Sequence, residues 1–307
     1  MIKVKILILT LKKSSKLKHL KKRLKKLKIQ FKILYGIDGR NKKNFEILNK
    51  NYNDSKTKKN IGRSLKFTEI AASLAHLNAY RYIIKNNINS AIIIEDDSYP
   101  SILLKKWIDS KCKIKNNFIL SFYSYPSGYI HKKSYKNYLD KKISIHIAKT
   151  HIYNGSFYQI NLKTCEKIIK FTRGKVVGFS DWPILQKNNI QFATTIPYLT
   201  VMNKFNNSII KKFRNRSSNL LKNILPNAII SIFREIFHLF YIGYFFGEMK
   251  KSIFYYYFYH HKSLIGLLNF FCRKYLDTRK IYFNKNYYAD DLYRDLKIMK
   301  KNSDLRI

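Results

Sequence analysis

The chain has 307 residues, 46% of them hydrophobic, which excludes a disordered chain and suffices for one large domain or two ordinary ones. Lysine and arginine number 61 against 18 acidic residues, a net charge of +43 that indicates an anionic partner or, since lysine is spread along every helix, a compositional bias. Three widely spaced cysteines (Cys112, Cys165 and Cys272) exclude a zinc motif and a disulfide framework, so we expect a reducing, cytoplasmic compartment.

The first ten residues predict a β-strand. Residues 2–9 form an apolar run with interspersed lysines. The run is too short for a signal peptide, and no small-residue cleavage site follows it. No stretch of the chain offers the roughly 18 uncharged apolar residues that a transmembrane helix needs. We therefore expect the first strand of the fold here and no membrane-spanning segment.

The next elements predict a βαβ unit. A second strand over Phe31–Tyr35 stops at the turn Gly36–Arg40. Between the two strands, leucines recur at the spacing of an amphipathic helix that packs on a sheet and exposes a basic face to solvent, rather than to nucleic acid: Leu17, Leu20, Leu24 and Leu27. Strand, helix and strand at this spacing predict a parallel sheet and an α/β fold.

A second helix is predicted from Thr68 to Lys85, after a lysine- and asparagine-rich stretch, residues 41–66, that predicts a loop over the sheet edge. Thr68 is suited to cap the helix, and an acid follows it directly. Beside the apolar face lies a polar stripe at spacings of four, three and four residues, which a core helix does not need: Glu69, Ser73, His76 and Tyr80. His76 on its own is also typical of a satisfied core histidine.

Three consecutive acids follow a buried strand, Ala91–Ile94. Strand side chains alternate, so we expect Glu95 and Asp97 to point one way and Asp96 the other. Three adjacent carboxylates repel one another unless a cation lies among them, and Mn²⁺ or Mg²⁺ prefers such oxygens. The carboxyl end of a strand is also where an open α/β sheet binds its ligand. The alternative is a solvated turn with a helix-capping Asp.

The middle of the chain predicts further strands and helices. One isolated acid, Asp181, stands beside Trp182 and is equally typical of a turn or helix cap. We predict a helix over Ile102–Ile108, strands over Phe118–Tyr123 and Ile143–Ala148 with a loop between them, a strand over Tyr153–Ile160, a helix over 162–171 and a strand over Phe192–Pro197.

Composition divides the chain into three parts. Residues 1–205 predict the α/β domain, and residues 206–223, rich in Asn, Lys and Arg, predict a basic linker. Residues 224–307 are crowded with aromatic and basic residues and predict a helical region. Such helices associate with anionic membrane surfaces, so we expect a peripheral position on the inner face of the cytoplasmic membrane. The alternative is a helical hairpin packed on the first domain.

In order and spacing, several of these pieces resemble glycosyltransferase family 25, the lipopolysaccharide-biosynthesis glycosyltransferases related to the collagen galactosyltransferases. The resemblance covers residues 2–200 and rests on the strand end at Thr10, the turn Ile37–Gly39, the helix Thr68–His76, the strand Ile93–Asp97, residues 155–160 and Ser180–Trp182. Its most specific part is the Glu-x6-His helix followed by Glu-Asp-Asp. The chain departs from the family at Ala75, where a serine is usual, at the helix start and at Thr10–Leu11.

The resemblance implies a GT-A-type, Rossmann-like sheet with helices on both faces, a UDP-sugar donor (commonly UDP-galactose), a glycan or glycolipid acceptor and inversion. We expect Glu95 and Asp97 to hold Mn²⁺ or Mg²⁺ and Asp181 to be the catalytic base. The expected donor and substrate contacts are Thr10, Asp38, Glu69, His76 (on phosphate or on Asp96), Asp96 and Trp182. The alternatives are a transferase that binds without turnover and a non-catalytic basic protein that binds anionic lipid or nucleic acid.

Overall fold

The computed structural model describes residues 4–61, 63–110, 114, 116–123, 130–138, 143–148, 155–178, 185 and 188–202. Its strands are β1 (Lys5–Thr10), β2 (Lys32–Tyr35), β3 (Ser90–Glu95), β4 (Ser98–Pro100), β5 (Phe118–Ser121), β6 (Ile130–Tyr138), β7 (Ile143–Ala148), β8 (Phe157–Asn161), β9 (Gln191–Ile196) and β10 (Thr200–Met202). Its helices are α1 (Lys16–Lys26), α2 (Phe45–Lys50), α3 (Asp54–Ile61), α4 (Phe67–Lys85), α5 (Ile102–Asp109) and α6 (Leu162–Thr172).

An eight-stranded mixed sheet runs in the order β2-β1-β3-β8-β5-β9-β7-β6, and β10 pairs with β4 in a separate ladder. The parallel pairing predicted from the βαβ unit is confirmed for β2, β1 and β3, but β8 lies antiparallel between β3 and β5. The carboxyl ends of the parallel strands therefore meet at one edge, where Thr10, Tyr35 and Glu95 lie; we call it the carboxyl edge.

Helices cover both faces of the sheet because side chains alternate along the strands. On β1, Leu7 and Leu9 belong to the core beneath α4 and α6, whereas Ile6 and Ile8 belong to the core beneath α1 and α5. The central strands are buried on both sides, which explains the unbroken apolar run of β3. The two cores fix the positions of α1 and α4 on opposite faces, and both helices begin at the carboxyl edge.

The prediction of a loop over residues 41–66 is wrong, because a 3-10 turn and helices α2 and α3 lie there. Weak periodicity concealed these short helices, which are held by contacts distant in sequence. Leu48 is fully buried, Phe45 stacks on Phe67 of α4, and Tyr52 bridges to Val176. The predicted loop between Phe118–Tyr123 and Ile143–Ala148 likewise contains β6.

The other predicted elements are confirmed within a few residues at each end. Asp181 and Trp182, and the predicted linker and helical region over residues 206–307, lie outside the described residues. In the described ranges, no helix combines the length and apolar content that crossing a membrane requires.

Candidate active site

The three acids at the end of β3 diverge toward three different partners. Glu95 accepts a hydrogen bond from His76 Nε2 at 3.0 Å, on the α4 face. Asp96 Oδ2 accepts one from the Thr10 hydroxyl at 2.5 Å, across the end of β1. Asp97 Oδ2 lies 3.4 Å from Lys16 Nζ, on the α1 face. The expectation that Glu95 and Asp97 point the same way is wrong, because β3 ends at Glu95 and residues 96–97 form a turn, where alternation no longer holds; we call these three residues the acid turn.

Asp97 occupies the most unfavourable position of the three for a charge. Burial and the neighbouring Glu95 carboxylate raise its pKa to about 6, although Lys16 acts in the opposite direction. Its Oδ1 is buried and has no hydrogen-bond partner among the described residues. A buried carboxylate with one oxygen unsatisfied is costly to the fold, and it is suited to receive a cation or a donor group from a ligand.

His76 joins the acid turn to the interior. Its Nδ1 lies 2.8 Å from the Tyr158 hydroxyl, and that hydroxyl lies 2.7 Å from the hydroxyl of Tyr80. His76, Tyr80 and Tyr158 are all at most 2% exposed, whereas the Glu95 side chain is 33% exposed. The histidine is thus satisfied within the core, and it bonds Glu95 rather than Asp96, since the Asp96 carboxylate is turned toward Thr10.

Glu69 stabilises the start of α4. Its buried carboxylate accepts two hydrogen bonds from Arg63, at 2.8 and 3.0 Å, and one from the Lys66 backbone N–H at 3.0 Å. A carboxylate in the first helical turn also favours the positive end of the helix dipole. The structure therefore gives Glu69 a capping and ion-pairing role and, among these contacts, none to the acid turn.

Asp38 lies on the loop between the end of β2 and the 3-10 turn that precedes α2. It accepts hydrogen bonds from the Arg40 side chain at 2.8 and 2.5 Å, and the side-chain hydrogen bond of Arg40 lowers its pKa. Gly39 packs so closely on α4 that a Cβ there would lie 2.4 Å from the Phe67 carbonyl oxygen. Gly36 donates its N–H to the Thr10 carbonyl at 2.8 Å, which ties the loop to the acid turn.

The structure brings five of the predicted site residues together: Thr10, His76, Glu95, Asp96 and Asp97. Asp38 and Glu69 are held in separate ion pairs, with Arg40 and Arg63 respectively. Sequence reasoning did not single out Lys16 or Tyr158. A tyrosine in a buried strand facing a polar helix stripe could have indicated Tyr158, but nothing distinguishes Lys16 from the chain's other lysines.

A divalent cation fits the chemistry of the acid turn. Three carboxylates stand against one nearby ammonium, and the unsatisfied Asp97 Oδ1 offers a hard oxygen ligand. Within the described ranges, no three or more His, Cys, Asp or Glu side chains are grouped so that they could hold a metal ion by themselves. Mg²⁺ is commonly held by one or two carboxylates, with substrate phosphates and water as the remaining ligands, so two acids suffice.

Comparison with known protein families gives a match that includes the candidate site. The family model described as "Glycosyltransferase family 25 (LPS biosynthesis protein)" matches residues 3–178, which contain the acid turn, α4 and every contact described above. No curated protein sequence matches the chain.

Proposed function

Because the chain belongs to glycosyltransferase family 25, a family of lipopolysaccharide-biosynthesis proteins, we propose that it transfers a sugar from a UDP-sugar to a surface glycan. Galactose is the sugar we expect, and lipopolysaccharide or lipooligosaccharide the acceptor. Transfer proceeds with inversion at the anomeric carbon and is assisted by a metal ion.

The observation that supports this proposal most strongly is the buried Asp97 carboxylate, whose Oδ1 has no hydrogen-bond partner among the described residues. An acid whose pKa is raised to about 6, with one buried oxygen unsatisfied, destabilises a fold unless a ligand uses it. It lies at the carboxyl edge, where open α/β sheets bind nucleotides. The rest of the chain is strongly basic and does not need these acids for solubility. Three acids concentrated at this point therefore favour the binding of a cation.

Asp97 and Glu95 would hold Mn²⁺ or Mg²⁺, which when bound neutralises the charge that grows on the diphosphate as the sugar leaves. Thr10 and Lys16 fix the carboxylates of Asp96 and Asp97 from the β1 and α1 sides. Asp38, whose side chain is 35% exposed, would contact the donor. The surrounding positive charge attracts the anionic donor.

Inversion requires one carboxylate to take the proton of the acceptor hydroxyl on the face opposite the leaving group. We assign that role to Asp181, with Trp182 as an apolar platform for a sugar ring. Replacing Asp181 with Asn should lower kcat by roughly 10²–10⁴ while donor affinity is retained. An unchanged kcat would remove Asp181 from the mechanism.

We also propose that the enzyme works as a peripheral protein on the cytoplasmic face of the membrane, where a glycolipid acceptor is available. Helix α1 supports this. Seven of its eleven residues are Lys or Arg and none is acidic. Each of the helices α2 to α6 contains at least one acid, so a general lysine bias does not account for α1. The aromatic and basic composition of the residues after 223 would add to the attraction to anionic lipid.

The decisive experiment measures UDP release with Mn²⁺ over a panel of UDP-sugars and a truncated glycolipid acceptor. We expect turnover with one donor, and its loss in Asp97→Asn with the fold intact. Asp109→Asn, which alters an exposed acid on α5, serves as the matched control and should retain full activity. Full activity in Asp97→Asn would contradict the metal site. If no donor is turned over but the chain shifts arbitrary DNA in a gel, the basic-binding-protein alternative applies.

A further inference from the structure

A continuous hydrogen-bonded chain leads from the carboxyl edge into the core. It starts at the partly exposed carboxylate of Glu95 and passes through His76 to Tyr158 and then Tyr80, with heavy-atom distances of 3.0, 2.8 and 2.7 Å. The His76 and Tyr158 rings also stack, 5.7 Å apart and 20° from parallel. These contacts join α4, β3 and β8, so the chain crosses three separate elements.

The carboxylate of Glu95, at the exposed end of this chain, sets the direction of its hydrogen bonds. A carboxylate only accepts, so His76 donates from Nε2–H to Glu95. In that Nε2–H tautomer, Nδ1 accepts from the Tyr158 hydroxyl, and the Tyr158 oxygen accepts from Tyr80. Burial raises the pKa of both tyrosines above its usual value, so both hydroxyls keep their protons. The Nε2–H tautomer of His76 therefore gives every N–H and O–H donor in this chain an acceptor.

We propose that Tyr158, supported by Tyr80, is a positioning residue that fixes the tautomer of His76 and thereby the orientation of Glu95. This proposal rests on the proposed function in one respect, the use of Glu95 at the donor site. A glutamate side chain has three rotatable bonds, and holding one oxygen from behind leaves the other to serve the cation or donor in a single arrangement.

A purely structural role explains the two tyrosines less well. Phenylalanine would fill the same volume without burying two hydroxyls that need partners. Among the described residues, the hydroxyls do not join backbone groups, as most buried side-chain hydrogen bonds do, but lead to the imidazole and the partly exposed acid. The chain is thus arranged like the outer-shell contacts that orient ligating carboxylates, whose loss typically costs 10–100-fold in metal affinity or activity.

Nuclear magnetic resonance of the full chain with ¹⁵N-labelled histidine tests the tautomer directly. His76→Gln identifies the His76 signals among those of the eight histidines. In the wild type we expect a single Nε2–H tautomer. Tyr158→Phe removes the donor to Nδ1 and should give a mixture of tautomers, with the folded spectrum otherwise retained. A wild-type Nδ1–H tautomer, or an unchanged tautomer in the variant, overturns the proposal.

Kinetics and binding test the consequence for Glu95. In Tyr158→Phe we expect kcat, and the affinity for UDP in the presence of Mn²⁺, to fall about 10–100-fold while the KM for the acceptor is unchanged. Tyr80→Phe should lower the same kcat and UDP affinity a few-fold. It replaces Tyr158→Phe as the test if that variant does not fold. Tyr52→Phe, which removes a partly buried hydroxyl bonded to Asp54 and Leu65, is the control.

Equal kcat and UDP affinity in Tyr158→Phe and Tyr52→Phe would overturn the positioning role, even if the tautomer had changed. A wild type that turns over no donor would instead contradict the proposed function, while the resonance and UDP-binding measurements would still decide the role of Tyr158.

Discussion

At the scale of single residues, Asp97 sets function against stability. Its pKa is raised from 3.8 to about 6, so between about pH 4 and 6 the folded state keeps a proton that the unfolded chain has lost. Stability therefore falls as pH rises through this window. The size of the shift corresponds to about 3 kcal/mol above pH 6, as an order of magnitude. Residues at binding sites commonly carry such a cost.

The free energy of unfolding of Asp97→Asn should therefore rise relative to that of the wild type when the pH is raised from 4 to 8. Asparagine stays neutral, so the change in the free-energy difference between these pH values should be on the order of 1–3 kcal/mol. The loss of the Lys16 ion pair offsets part of the gain at both pH values. Urea unfolding without metal at pH 4 and 8 measures it. An equal difference at both pH values would show that Asp97 has an ordinary pKa.

Mn²⁺ should stabilise the wild type at pH 8 and leave Asp97→Asn almost unchanged, because a ligand that binds only the folded state adds its binding free energy to stability. Thermal unfolding with and without saturating Mn²⁺ measures this, and Asp109→Asn should respond like the wild type. Equal stabilisation of all three proteins would place the ion elsewhere.

Two glycines on the loop of Asp38 offer a matched pair. In Gly39→Ala the new Cβ would lie 2.4 Å from the Phe67 carbonyl oxygen, so the loop must move away from α4 at a cost of roughly 1–3 kcal/mol. In Gly36→Ala the nearest atom, Ala75 Cβ, lies at an ordinary 3.5 Å, and the change should cost less than about 1 kcal/mol. Urea unfolding compares the two variants. Equal stabilities would mean that the loop is not packed on α4.

The candidate site was predictable from sequence as a list of residue types, and much less as a set of contacts. The apolar run before Glu95 and the polar stripe of His76 identified both sides of the site, because each pattern is local. The partner of Asp97 could not be predicted, since Lys16 is 81 residues away in a chain full of lysines. The sequence also did not show that the strand ends at Glu95. For that reason the expected orientation of Asp97 was wrong.

At the scale of elements, α1 is the one described helix of more than a single turn with charges of one sign only. Replacing Lys18, Lys22 and Lys25 with Gln should weaken binding to vesicles that contain anionic lipid by about 10²-fold, at roughly 1 kcal/mol for each lysine. The control replaces Lys163, Lys167 and Lys170 on α6, which lies on the opposite face of the sheet. Vesicle co-sedimentation measures both. Equal losses would make net charge, and not the α1 surface, responsible.

Helix α4 and strand β3 were predicted almost to their ends, because each is long or strongly patterned and its core face is visible in the sequence. Helices α2 and α3 were missed because their stability comes from contacts outside them, at Leu48 and at the bridge from Tyr52 to Val176. Strands β4 and β10 have three residues each, too few for a period to show.

At the scale of the whole molecule, the ladder between β4 and β10 sets where the chain can be shortened. A chain ending at residue 205 keeps the pairing of Ser98 with Met202, directly after the acid turn, and should bind UDP with Mn²⁺ as the full chain does. A chain ending at Tyr198 lacks β10 and should bind it at least several-fold more weakly. Calorimetric titration compares them, and weak binding by both would place part of the donor site after residue 205.

The mixed order of the sheet was the least predictable feature. Local pattern gave the parallel trio of β2, β1 and β3, but the insertion of β8 between β3 and β5 depends on pairings across tens of residues. Short apolar strands carry no signal of their neighbours, so only the folded structure shows that β8 begins opposite Ile94 and supplies Tyr158 to His76.

Helix α1 contacts both Asp97 and the strand β4 that follows it. Lys16 pairs with Asp97 itself, while Arg23 donates to the Pro100 carbonyl at 2.8 Å and lies over the Tyr99 ring. A ligand that shifts α1 therefore also shifts the surroundings of Asp97. Thermodynamic linkage makes such coupling reciprocal. If binding to a lipid surface raises the affinity of the protein for the nucleotide by some factor, the nucleotide raises its affinity for the lipid by the same factor. An enzyme built this way would release the bilayer and the spent nucleotide as linked events.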